Sequence, residues 1–250
     1  MSTEPGAVRF AALAAPAVDR VFVAAMTACR TRGGAELGQR YGGPAATGFL
    51  VEFRTRLAAP GGAVTPAGFA AVTRYRDPDE CKRALDKQIA HSMVARDAAG
   101  AIQATERGRE YLREIYRLQG LVIGELWEAG HAARVGRLVE ALERLLDAAT
   151  ADSRPDEAFA AMAPPYEPDG TPLGVVLLNR LGALRYHRAD AHAAAWTAAG
   201  QTAQGVVAMP AGPARAAVED ETNRLAAPPY AVLTGEERLT FLADLAALPG

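Results

Sequence analysis

Apolar positions recur at helical spacing along most of the chain, and the clearest run lies between Pro78 and Met93. There Cys81, Ala84, Leu85, Ile89 and Met93 stand at offsets of 3, 4, 8 and 12 and draw one buried stripe. The opposite face carries Asp79, Lys82, Arg83, Asp86 and Lys87. A helix precedes it, opened by Thr65 and Pro66, a hydroxyl cap followed by a proline that loses no useful backbone donor. Asp77, Pro78 and Glu80 repeat the device at capping-box spacing. Period-two pieces near Val94 to Arg96 and Ala101 to Ala104 flank Asp97 to Gly100, which predicts a hairpin tip. Thr105 then caps a helix whose apolar residues are Leu112, Ile115, Leu118 and Val122.

The second half is patterned differently. Residues 151–173 are rich in proline, aspartate and small side chains, which predicts a linker or long loop. Leu173 to Leu184 reads as an apolar helix, and Arg185 to Gly200 continues or restarts it. Ala214 to Leu225 is helical and is broken by Pro228 and Pro229. A last amphipathic helix carries Leu239, Leu242 and Leu245, with Thr234 and Glu237 as a capping box. The division expected is a unit over 1–150, a linker over 151–173 and a helical unit over 174–250. Sliding the chain by 104 positions lays Gly108 over Gly212 and the Val135 and Leu138 helix over that of Leu239 and Leu242. That register suggests a degenerate second copy whose hairpin is shortened or lost.

Helix, helix, hairpin, helix is the order of a winged helix-turn-helix, so the fold class expected is mainly α. The T-E-R-G-R-E-Y-L segment at 105–112, leading into a long helix, resembles the MarR-type transcriptional regulators. Val18 to Arg30 is similar to that family's first dimerisation helix. His131 to Ala148, with Val135, Leu138, Leu142 and Leu145, is similar to its last. The resemblance spans roughly residues 15–150. The H-R-x-D-x-H string at 187–192 resembles a poorly characterised actinobacterial helix-turn-helix family. These resemblances imply a regulator that binds duplex DNA through the 78–93 helix and the 96–101 wing. Lys82, Arg83, Lys87 and Arg96 would touch the DNA, and a small-molecule effector would bias the spacing of the reading heads. They also imply a homodimer or a single-chain pseudo-dimer.

Composition narrows the alternatives. No run approaches the ~20 apolar residues of a membrane span, and the N-terminus lacks the features of a signal peptide, so a cytoplasmic protein without a membrane partner is expected. Cys29 and Cys81 both fall in helical stripes, as buried free thiols do. Net charge is −2, and residues 65–110 hold eight Lys or Arg against seven Asp or Glu, a thin basic footprint for a nucleic-acid binder. Phosphate-loop, dinucleotide, nucleophile-elbow and paired-cysteine motifs are absent, so no cofactor is expected and no catalytic residue is assigned.

The remaining chemistry sits at His187, Asp190 and His192. On an unbroken helix Asp190 lies about 60° from His187 and His192 about 140° from it, so the three do not converge on one metal ion. Arg185, Arg188, His192 and Trp196 share a face instead, at offsets 3, 7 and 11. Arg185, His187, Arg188, Asp190, His192 and Trp196 are therefore the candidates for a polar ligand pocket. They motivate an alternative function: a small-molecule-binding protein or an enzyme of specialised metabolism built on a winged-helix scaffold.

Overall fold

Good helix formers fill most of the chain, and its helices run on even through Pro16 in α1 and Gly182 in α10. The computed structural model describes residues 4–151 and 153–249, and within them the protein is mainly α-helical with three short strands. In chain order these are α1 (Glu4–Cys29), α2 (Ala35–Arg40), α3 (Pro44–Glu52), α4 (Arg54–Leu57), β1 (Ala63–Val64), α5 (Pro66–Thr73) and α6 (Pro78–Ala90). Then come β2 (Val94–Arg96), β3 (Ile102–Ala104), α7 (Glu106–Ile123), α8 (Ala129–Thr150) and α9 (Ala158–Met162). The chain closes with α10 (Leu173–Ala198), α11 (Ala203–Ala208), α12 (Pro213–Ala226) and α13 (Gly235–Ala247). Widened turns at Arg30–Gly34 and Gly124–Glu128 join α1 to α2 and α7 to α8.

Local chemistry sets the helix starts. Thr65 Oγ1 accepts from the Gly68 amide at 3.0 Å, Asp77 Oδ1 from Glu80 at 2.8 Å, and Thr105 Oγ1 from Gly108 at 3.1 Å. The Thr234 box is complete: its hydroxyl accepts from the Glu237 amide, and the Glu237 carboxylate accepts from the Thr234 amide at 2.7 Å. In the hairpin, Asp97 Oδ1 accepts from the amides of Ala99 and Ala101, and Gly100 takes the positive φ that closes the tip. β1, too short for its pattern to predict, adds antiparallel to the far edge of β3, so the sheet order is β1-β3-β2.

Two large apolar clusters hold most of these elements, and a small third one of Ala195, Val206 and Val218 seats α11 against α10 and α12. The larger joins Phe10, Ala14 and Val21 of α1 to Trp127, to Leu142 and Leu145 of α8, to Leu177 and Leu181 of α10, and to Leu245 of α13. The smaller packs Phe49 and Leu50 of α3, Leu85 of α6, and Tyr111 and Leu112 of α7 around Met93 and the sheet. The larger cluster therefore runs across the expected boundary at residue 150. Polar ties cross it too: Trp127 Nε1 donates to the Pro249 carbonyl at 3.3 Å, and Arg137 grips Asp244 bidentately at 2.7 and 2.9 Å.

Three expectations change. The stretch expected as a linker is anchored to the body rather than bare, because Phe159 of α9 is buried in the larger cluster and Met162 in the smaller. Arg56 donates to the carbonyls of Ala160, Ala161 and Ala163, and the Tyr166 amide donates to Thr55. The shift by 104 fails as a structural repeat. It would put the turn between α5 and α6 at 178–181, inside unbroken α10. Finally, the helical stretch Gly6–Arg40 is long and apolar enough, by length and composition, to cross a membrane. Counting uninterrupted apolar residues missed it, because Asp19 and Arg20 divide the run. In the fold, its residues Ala7, Phe10, Ala14, Val18, Val21 and Ala25 face the core.

Candidate functional site

The first candidate is the solvent face of α6. Cys81, Leu85 and Gln88 anchor the helix inward, and Asp79, Lys82, Arg83, Asp86 and Lys87 are left exposed. Lys82, Arg83 and Lys87 make no ion pair with any described residue. Arg96, at the end of β2, stands 4.0 Å from Asp86, one of the acids that share this face with the bases. Other cations nearby are committed. Arg74 pairs with Asp190, Arg76 with Glu52 at 2.5 Å, and Arg109 with Glu106 and the Ala104 carbonyl. The four residues predicted for DNA contact thus lie on one exposed surface formed by α6 and the hairpin.

The second candidate, the polar face of α10, divides in two. Arg185, Arg188 and His192 line a cavity of about 220 Å³ together with Asp19, Tyr75 and Glu219. Arg185 Nε donates to Asp19 at 2.5 Å, and its guanidinium lies 4.5 Å over the Phe22 ring. Arg188 donates to Asn223 at 2.8 Å and to Glu219 at 3.2 Å. Trp196 Nε1 donates to the Tyr75 hydroxyl at 3.2 Å, and that hydroxyl lies 2.8 Å from His192 Nδ1. The Tyr75 hydroxyl thus bridges Trp196 and His192, whose Nε2 lies 3.8 Å from Glu219. Burial lowers the His192 pKa below its usual 6.5, against the pull of Glu219.

His187 and Asp190 do not join that cavity. They point to the other side of α10, as the 140° separation of His187 from His192 requires. Asp190 accepts from Arg74 and from the amides of Ala158 and Phe159, the last at 2.7 Å, so it caps α9. His187 meets Phe159 edge-on at 5.7 Å. Their role in the fold is to hold α9, a correction to their place among the ligand candidates.

A third site escaped the sequence. A cavity of about 550 Å³ opens between α1, α2, α3 and α7, lined by Phe22, Met26, Cys29, Gly38, Thr47 and Tyr111 among others. Burial pushes the Cys29 thiol up to about 11 and raises the Tyr111 phenol, so both are neutral at ordinary pH. Residues of α1, α2 and α3 meet α7, some sixty positions on, to make these walls, and no local pattern announces their meeting.

No protein-family model, no curated protein and no solved structure matches this chain.

Proposed function

We propose that this chain is a cytoplasmic DNA-binding regulator of the MarR-like winged helix-turn-helix kind, reading duplex DNA with α6 and the β2–β3 hairpin. The observation that carries the reading is the set of three unpaired cations, Lys82, Arg83 and Lys87, on the exposed face of the second helix. The surroundings support it. α5 and α6 are joined by residues 74–77, a turn of the length that helix-turn-helix units use. The hairpin follows directly, in a sheet of order β1-β3-β2, and carries Arg96 beside the helix. Asp79 and Glu80 lie in the first turn of α6, where acids favour the helix dipole. Each chain offers one such head, so a two-fold operator calls for two copies with half-sites one helical turn apart, about 34–36 Å.

The test is fluorescence anisotropy on the DNA upstream of the protein's own gene, across a salt series from about 50 to 200 mM. Binding should weaken steeply with salt. Replacing Lys82, Arg83 and Lys87 together by Ala should reduce the slope by about three per head, roughly one for each lost phosphate contact. A flat salt response, or a triple variant that binds as the parent does, rules the reading out.

The other reading, an enzyme or binding protein centred on Arg185, Arg188, His192 and Trp196, has the Trp196–Tyr75–His192 relay in its favour. Against it, Asp19, Glu219 and Asn223 already satisfy the guanidinium groups that a substrate would need.

A further inference from the structure

We propose that the cavity between α1, α10 and α12 is a binding site for a free amino acid with an apolar side chain, held as a zwitterion against the Arg188–Glu219 ion pair. α10 supplies Arg185, Arg188 and His192 to the lining, α12 supplies Glu219 and Thr222, and the turn at Pro228–Val232 supplies Tyr230. The volume of about 220 Å³ falls below the 300–1,000 Å³ of drug-sized sites and calls for a smaller molecule.

Tyr230 is the group that points to a ligand. It is 5% exposed, its ring stands edge-on to Phe10 at 5.2 Å, and no described residue hydrogen-bonds its hydroxyl. The oxygen is not sealed inside the protein. It reaches the cavity, where the Arg188 guanidinium opposes the rise of the phenol's pKa that burial drives to about 12. The phenol therefore stays neutral and keeps an O–H to donate. The other buried hydroxyl in the lining is engaged, since Thr222 donates to the Val218 carbonyl at 2.7 Å.

Charge selects the zwitterion. Arg185 and Arg188 face Asp19 and Glu219 across the lining, and burial disfavours the charged form of His192. An ion of one sign meets no net counter-charge here and would lose its hydration without compensation. The pairing neutralises the guanidinium groups without using up their donors. Arg188 directs one N–H to Asn223 and one to Glu219, and a guanidinium carries five, so three remain. Glu219 accepts from Arg188 through Oε2 at 3.2 Å, while Oε1 stands 3.8 Å from His192 Nε2, beyond hydrogen-bond reach. A carboxylate can thus accept from Tyr230 and Arg188 at the buried end. An ammonium group can donate to Glu219 Oε1 at the open end, where that side chain is 45% exposed. Val18, Leu184 and Ala189 leave an apolar wall for the ligand's side chain.

Titration calorimetry of the full chain with L-leucine, L-leucinamide and 4-methylpentanoate, in the absence of DNA, tests the assignment. L-Leucinamide lacks the carboxylate, and 4-methylpentanoate lacks the ammonium group. L-Leucine should bind at least about tenfold tighter than either, the value of one hydrogen bond to a charged group. Tyr230→Phe should weaken L-leucine about tenfold, leave L-leucinamide unchanged and keep the parent's Tm, because the hydroxyl it removes has no partner in the fold. Glu219→Gln should weaken L-leucine and tighten 4-methylpentanoate, which then meets an Arg188 without its partner carboxylate. Failure of L-leucine to bind at millimolar concentration, equal affinity for the three probes, tighter binding of either analogue, or unchanged L-leucine affinity in Tyr230→Phe overturns the proposal. DNA is absent throughout, so failure here leaves the DNA reading untouched, and failure of DNA binding leaves this site standing.

Discussion

His192 faces two other side chains, Tyr75 and Glu219, and its position has a measurable consequence. Tyr75 approaches Nδ1 at 2.8 Å, Glu219 stands 3.8 Å from Nε2, and Trp196 holds Tyr75 in place. Burial keeps the imidazole neutral, so its folded pKa lies below 6.5. The sign follows from proton binding. As pH falls below 6.5 the unfolded chain takes up this proton before the folded chain does, so stability is full above that value and declines beneath it. His192→Gln should therefore show a smaller fall in Tm between about pH 7.5 and 5.5 than the parent, measured by thermal melting at each pH. An identical fall in both would count against a buried neutral imidazole. The residue types at this site were visible in the sequence. Their partners were not, since Tyr75 is 117 positions from His192.

Between elements, the contact of α7 with the hairpin explains why the T-E-R-G string reads so clearly. Thr105 caps α7 and also donates to the Ser92 carbonyl, which ties the helix start to the end of α6. Three residues on, Gly108 lies against the Met93 carbonyl, and a methyl group there would stand 2.1 Å from that oxygen. Both α7 and the hairpin must shift to admit it. Gly108→Ala should thus destabilise by about 1–3 kcal/mol, although alanine is the better helix former, and denaturant unfolding measures it. A stabilised variant would mean that the two elements are not in close contact. The caps at Thr65, Asp77, Thr105 and Thr234 were legible because capping is short-range chemistry with a fixed residue set. β1 was not legible, because two residues carry no period and β3 is what makes them a strand.

Across the whole molecule, the shared core joins the halves. Leu177 and Leu181 of α10 and Leu245 of α13 are fully buried against α1 and α8. A chain ending at residue 151 would leave the apolar faces of α1 and α8 uncovered. The full chain should melt in one cooperative transition. The shortened chain should show no cooperative transition and should expose apolar surface to a hydrophobic dye, as calorimetry and dye fluorescence would report. Two separate transitions in the full chain would show instead that the halves fold independently. Among described residues the second half contains no strand, so its resemblance to the first is one of helix periodicity alone.

By itself the sequence determined the longer helices of both halves, though not α2, α3, α4 or α9, together with four caps, the hairpin tip at Asp97 to Gly100 and the exposed bases of α6. Each depends on neighbours within a few positions, where backbone geometry and side-chain spacing act directly. Tertiary structure alone decided the rest. It split the 185–196 cluster into a paired polar cavity and a cap for α9, because a rigid helix sends its faces to different partners. It turned 151–173 into packed structure and extended one core through both halves. It also opened a cavity where α1, α2, α3 and α7 meet, without any local pattern to foretell it.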